Sequence, residues 1–331
     1  MKILATLKPE RYEVGYHAYG VLAEIDWFQR RVIRTLKIPC ASFRDDQAFM
    51  GPLIGGVCQV GNRIYVAFWN FIIEVDYDRF EIINTISTPQ MADLHGMTTD
   101  GKHLWVASTA VESVLCLDIQ SGKPLWRWGP DDPLLSQDPP PLMDRLRDRM
   151  KRGGGLKVPD LDKGEYRYVH KSRSPFYRHH LNEVTWHKGS LYVGTKGWFG
   201  EPYSAIIHLN PKTRAASFMV EPGGFMGAHD GVFHEGRFVV TESSKNGVAW
   251  RNPNAEIIRQ ELHPARFFVR GLCFTGNSFL VGFTRVRKSK GPSWIIECDP
   301  RFNREFRRME LKGFYPPHQG TAIHALEMVR S

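Results

Sequence analysis

The sequence predicts an all-β protein: a six-bladed β-propeller closed by its N- and C-terminal strands in one blade and carrying a partly helical inserted cap. Three observations lead there. One short apolar template recurs along the chain, an Asp or Asn recurs at a fixed place in each copy, and the first copy is one strand short while the C-terminus has one to spare. Repeats of roughly 40–50 residues, each holding three or four short strands, are the sequence signature of propeller blades.

The template is a polar or small residue, a short apolar strand, a turn and a second strand. It reads "GGVCQVGNRIYVAF" from Gly55, "HGMTTDGKHLWVAS" from His95, "NEVTWHKGSLYVGT" from Asn182, "HDGVFHEGRFVVTE" from His229 and "RGLCFTGNSFLVGF" from Arg270. A marker then closes the third strand of each unit, at Asp26, Asp76, Asp118, Asn210, Asn252 and Asp299. Asp and Asn suit that place because their side chains bond the backbone of a following turn. Asp76 and Asp118 are 42 residues apart, as are Asn210 and Asn252, whereas Asp118 and Asn210 are 92 apart. The excess is an insertion of about 50 residues in one period. Six markers predict six blades.

The first unit has strands only at "KILATLK", "YGVLAEID" and "RRVIRTLKI". Its fourth is expected from "GTAIHALEMV" at the C-terminus, which would remove the last open sheet edge. The insertion, 129–178, falls between the third and fourth blades of a single 1–331 domain. It opens on "GPDDPLLSQDPPPL", continues through an expected helix, "PLMDRLRDRMKR", and returns through "YRYVHKSRSPFYRHH". An excursion of this length is expected to be a functional cap over one mouth of the propeller.

Composition sets outer bounds. Nine Trp and twenty Phe among 331 residues suit packed sheets. The net charge of +9 serves solubility and favours a small anionic ligand. Cys40, Cys58, Cys116, Cys273 and Cys298 are odd in number and form no CxxC, which points to buried thiols in a reducing cytoplasm. The N-terminus lacks the apolar run of a signal peptide, and no apolar run reaches the ~18 residues of a membrane span. The basic stretches "YRYVHKSRSPFYRHH" and "RVRKSKG" would make an anion-steering rim but not a nucleic-acid stripe. No P-loop, GxGxxG or GxSxG motif occurs, so no nucleotide cofactor is expected.

The residue that opens each template begins an innermost strand, and innermost strands line the central channel of a propeller. Gly55, His95, Asn182, His229 and Arg270 should therefore face one another, with His318 or Gln319 as the sixth and His180 at the mouth. Imidazoles with an open position bind Zn, Fe, Ni or Cu, so His95, His180 and His229 form a candidate metal set; hydrogen bonding to a ligand or water fits the same residues equally. Arg270 is suited to clamp a carboxylate in bidentate fashion, and Asn182, Arg178 and His318 are expected to line the ligand with it. Asp230, Glu183 and His180 are the candidate proton carriers. The alternative for the two acids is an ion pair with Arg270 or a bond between blades.

Three of these stretches, "HLNEVTWHKGSLYVG", "AHDGVFHEGRFVV" and "VRGLCFTGNSFLVGFTRVR", resemble a family of uncharacterised, mostly bacterial propeller-like proteins of unknown function. The likeness rests on His180-Leu181-Asn182, on His229, and on Arg270-Gly271-Leu272 with Phe274, Val281-Gly282 and Arg285. The chain departs from that pattern at Ala228, where the family tends to have proline. The resemblance covers roughly the C-terminal half; it implies the fold and the channel residues but no reaction. The expectation is an enzyme acting on a small, carboxylate-bearing anion in a His/Arg-lined channel, a metal-assisted hydrolase, lyase or cyclase. The alternative is a non-catalytic ligand-binding or protein-interaction propeller.

Overall fold

A computed structural model of the chain describes residues 1–9, 19–39, 54–136, 164–167, 174, 176–198, 201–262, 267–285, 292–315 and 320–330. They form six four-stranded antiparallel sheets, a six-bladed β-propeller. Blade 1 joins β1 (Lys2–Pro9), β2 (Tyr19–Asp26) and β3 (Arg31–Pro39) to the C-terminal β24 (Thr321–Met328). Blade 2 runs β4 (Ile54–Val60), β5 (Arg63–Phe68), β6 (Phe71–Asp76) and β7 (Glu81–Ile86). Blade 3 runs β8 (Leu94–Thr99), β9 (His103–Ser108), β10 (Ser113–Asp118) and β11 (Pro124–Trp128). Blade 4 runs β12 (Leu181–His187), β13 (Ser190–Thr195), β14 (Tyr203–Leu209) and β15 (Ala216–Met226). Blade 5 runs β16 (Ala228–His234), β17 (Arg237–Glu242), β18 (Gly247–Arg251) and β19 (Ile257–Glu261), and blade 6 runs β20 (Phe267–Phe274), β21 (Phe279–Arg285), β22 (Ser293–Cys298) and β23 (Glu305–Leu311).

The expected closure is present. Strand β24 pairs with β1 over Ile3↔Met328 to Pro9↔Thr321. Innermost strands touch in the cyclic order β24, β4, β8, β12, β16, β20 and back to β24. Six apolar clusters fill the six interfaces between neighbouring blades. At the closing interface Ile3, Leu7 and Val21 of blade 1 pack on Leu280, Ile295 and Met309 of blade 6. Each blade is thus held by apolar burial on both faces, while outer strands such as β7 lie largely exposed.

Five of the six markers act as the sequence suggested; Asp299 accepts the N–H groups of Arg301 and Arg304, whereas the Asn252 amide donates to the Glu256 carboxylate. Asp26, Asp76 and Asp118 each accept a hydrogen bond at Oδ1 from the backbone N–H three residues on. Asn210 takes two such bonds, from Lys212 and Thr213. These bonds fix the turn into the outermost strand.

Of the insertion, the described residues include one four-residue helix, Pro133–Ser136. The helix expected over 141–152 lies outside the described residues, so a partly helical cap has no support here. What is described packs at one end of blades 2 and 3. Tyr166 and Phe176 cover Ala92, Ala110 and Val111, and the Arg167 carbonyl accepts from Asn70. Among the described residues no helix is long and apolar enough to cross a membrane.

Candidate functional site

Every innermost strand carries a bulge at the same register. The pairing slips between Ile54 and Val57, Leu94 and Met97, Leu181 and Glu183, His229 and Gly231, and Val269 and Leu272. In blade 1 the slip leaves His324 unpaired against Thr6 and Leu7. A bulge adds a residue to one strand and re-aims its side chain. Six bulges therefore build one ring from Gly55, His95, Asn182, His229, Arg270 and His324. Five of these were expected. The sixth position belongs to His324, which the sequence reading missed in favour of His318 or Gln319, both outside the described residues. The signal was present: "IHAL" at Ile323 matches "LHGM" at Leu94 residue for residue.

Gly55 has no side chain because none fits. A Cβ there would lie 2.7 Å from the His95 carbonyl oxygen.

The ring histidines are held by a common socket. His95 Nδ1 lies 2.9 Å from the Asp93 carbonyl and 3.0 Å from Thr109 Oγ1, whose own proton goes to the Leu181 carbonyl. His229 Nδ1 lies 2.9 Å from the Gly227 carbonyl, with Ser243 Oγ at 3.3 Å. Each Nδ1–H thus donates to the carbonyl two residues back, which leaves Nε2 as the acceptor. At His229 that acceptor is used: Arg270 Nη2 donates to it across 2.5 Å. Burial, with Arg270 and Lys196 nearby, holds the His229 imidazole well below its usual pKa. His95 instead meets two other imidazoles edge-on, His180 at 5.2 Å and His324 at 5.6 Å between ring centres.

His180 stands at the mouth with a left-handed backbone (φ 58°), and its Nδ1 lies 2.5 Å from the Tyr177 hydroxyl. Burial, with Asp93 and Glu112 nearby, raises the Tyr177 pKa, so the phenol keeps its proton and donates it. The segment is anchored by Glu112, whose carboxylate accepts the backbone N–H groups of His179 and His180 at 2.7–2.9 Å. Burial pushes Glu112 up to about 7 against those N–H bonds and the nearby Arg178. Arg178, expected to line the ligand, is thus placed electrostatically beside Glu112. His179 is structural: its Nε2 meets the Leu135 carbonyl at 3.1 Å and its ring lies 4.0 Å from Trp198.

Arg270 is 6% exposed and lies with its guanidinium 4.9 Å above the Phe268 ring. Among the described residues it forms no ion pair within 4 Å, and its Nε has no hydrogen-bond partner. Burial lowers its pKa to about 10, against the attraction of Asp230, Asp93 and Glu183. Asp230, one of its expected partners, is otherwise engaged. Its Oδ2 accepts the Thr241 hydroxyl and the Gly271 N–H, each at 2.9 Å, and so ties blade 5 to blade 6. Gly271 presents that N–H from φ +79°, a conformation open to glycine. The bond between blades, one of the two alternatives for this acid, is therefore realised. Glu183 lies beside it: burial and the Asp230 charge raise Glu183 well above the usual carboxylate range, and burial raises Asp230 to about 6 against Arg270 and its bonds from Gly271 and Thr241. Asn182 donates Nδ2 to the Ala228 carbonyl, which orients its amide and leaves Oδ1 without a partner.

Among the described residues no group of three or more His, Cys, Asp or Glu is placed to hold a metal ion, and Nε2 of His229 is taken by Arg270. What assembles is an arginine anchor beside three clustered imidazoles.

No family model and no curated protein matches the chain. Solved structures match it in fold. A protein of unknown function from Bacteroides caccae superposes with a TM-score of 0.60 at 12% identity, covering 100% of this chain and 99% of that one. A chain of a nidogen/laminin complex superposes with a TM-score of 0.59 at 8% identity, covering 99% and 98%. At these identities the likeness is one of fold alone.

Proposed function

We propose that the channel binds a small carboxylate-bearing anion on Arg270 and that the neighbouring imidazoles carry out general acid–base chemistry on it. The observation that carries this reading is the buried Arg270 guanidinium, which has no ion pair among the described residues and an unpartnered Nε. A buried cation without a counter-charge is costly, and a bidentate carboxylate would relieve that cost. Lys196, whose Nζ lies 5.4 Å from the centre of the same Phe268 ring, adds positive charge nearby.

The tautomers divide the work. His95 donates from Nδ1 and so offers a basic Nε2. His180 receives the Tyr177 proton at Nδ1 and so carries its own proton on Nε2. One ring can remove a proton while the other delivers one, and the Tyr177 hydrogen bond holds the His180 ring in the donating tautomer. Hydrolysis, elimination and cyclisation each need that pairing, and none here is routed through a metal.

The test is mass spectrometry of small molecules released from protein purified without a histidine tag. A carboxylate-bearing compound should be released from wild type and fall about tenfold in Arg270→Lys, which keeps the charge but loses the planar fork. Equal release from both proteins would sink the anchor. Incubated with that compound, wild type should convert it and His180→Asn should bind it without conversion. Conversion by neither protein would leave the channel a binding site only.

A further inference from the structure

We infer that the ligand of this channel is bifunctional: the molecule whose carboxylate sits on Arg270 also carries a cationic nitrogen, received just below the ring by Asn182 and the Glu183–Asp230 pair. The inference rests on the Arg270 reading above and names the substrate class it implies. A cavity of about 110 Å³ opens at that level and is lined by Asn182, Glu183, Asp230, Arg270 and His324. It has room for a molecule of a few heavy atoms.

Two buried side chains on its wall have an unused hydrogen-bonding atom, and the two are opposite in kind. Arg270, 6% exposed, has an unpartnered donor at Nε; Asn182, 3% exposed, has an unpartnered acceptor at Oδ1. The Asn182 assignment is fixed, because Nδ2 must donate to the Ala228 carbonyl. Buried polar atoms are seldom left unmatched, so the cavity calls for one acceptor and one donor from whatever fills it. A simple carboxylate supplies only the acceptor. An ammonium or similar N–H group on the same molecule supplies the other.

The charges agree. One step below the ring the six blades place Gly56, Gly96, Glu183, Asp230, Gly271 and Ala325. Four have little or no side chain and leave room. The other two are acids, on adjacent blades, next to the blade that carries Arg270. Neither acid forms an ion pair with Arg270. Burial raises both acids and the Asp230 charge raises Glu183 further, so a cation beside them would favour their ionised forms. The remaining titratable groups facing the cavity are His229, which accepts from Arg270, His324, and Glu327, which lies 3.2 Å from Arg330 and is pushed up to about 7 by burial. A zwitterion spanning blade 5 would give each charge its partner.

The experiment is calorimetric titration of the full chain with β-alanine, propionate and propylamine. β-Alanine should bind about tenfold or more tighter than propionate, and propylamine most weakly, since an unmatched buried donor or acceptor costs roughly that factor. β-Alanine should also release protons, read as a heat that varies with the buffer's ionisation enthalpy, and lose affinity below about pH 6 as Asp230 takes its proton. Glu183→Gln should remove the β-alanine advantage and leave propionate binding within about twofold. Propionate binding as tightly as β-alanine, or no proton release, would overturn the bifunctional ligand while the anchor stands. Binding of neither carboxylate would overturn the anchor and this inference together.

Discussion

His95 and His229 occupy the same place in two blades, yet their chemistry differs. Both sit on a bulge, both donate Nδ1–H to the carbonyl two residues back, and both have a hydroxyl from the turn after the second strand beside them. His229 is silenced by Arg270 in the next blade, whereas His95 faces His180 and His324. The repeat supplies the socket, and the neighbouring blade decides what the imidazole can do. Symmetry of backbone is thus compatible with a one-sided site: acids and arginine on blades 4 to 6, imidazoles on blades 1, 3 and the mouth.

The largest test of that contrast removes the His95 side's outer support. Deleting 320–331 takes away β24 and His324 together, opens a sheet edge and exposes the apolar faces of blades 1 and 6. Cooperative thermal unfolding should be lost, and a melting temperature equal to wild type would show that blade 1 stands without the tail.

Next comes Glu112, which holds His180 against His95. Its folded pKa of about 7 lies above the unfolded value of 4.5, so the folded state binds the extra proton between those pH values. Stability from this group is full below about pH 4.5 and falls by about 3 kcal/mol as pH rises to 7. His229 acts in the opposite sense, because its depressed pKa removes stability as pH falls below 6.5. The slope of unfolding free energy against pH in Glu112→Gln should therefore be more positive than in wild type; equal slopes would refute the assignment.

A smaller effect is expected at Arg270. Since it breaks no ion pair among the described residues, Arg270→Ala should cost about 1–2 kcal/mol in denaturant unfolding, the scale of a lost charged hydrogen bond. The His229 resonances should then titrate closer to pH 6.5. A loss of about 3–5 kcal/mol would instead identify Asp230 as its partner. Smallest is the pair of socket hydroxyls. Thr109→Val should cost about 1 kcal/mol more than Ser243→Ala, because the Thr109 hydroxyl bonds the Leu181 carbonyl of the next blade whereas Ser243 bonds the Gly227 carbonyl next to its own blade. Equal melting shifts would mean that the two sockets are the same.

Much of the fold was legible because it is periodic. The Asx markers and the apolar template each recur six or five times, and the bulged ring position is the template's first residue. His324 was misplaced for a local reason: blade 1 takes its inner strand from the far end of the chain, so no marker follows it at the usual distance. Glu112 and Tyr177 were not found at all. They lie in a turn and at the end of an insertion, where no repeat constrains the sequence; Glu112 acts on His179, 67 residues away, and Tyr177 on His180 only because the chain turns there. Orientation was beyond the sequence: spacing places His229 in the ring but says nothing of where its Nε2 points, which is toward Arg270.

Blade 1 has a consequence for the chain's synthesis. Leu7 pairs with Ile323, so the two strands that seal the ring lie 316 residues apart along the chain (323 − 7). Bringing such distant ends together costs about 5 kcal/mol of loop entropy, and contacts so remote form late. His324 arrives on that same strand. A nascent chain that has not yet made β24 would therefore hold His95, Asn182, His229 and Arg270 without the strand that closes them into a channel, so that the ring is complete only once His324 is in place.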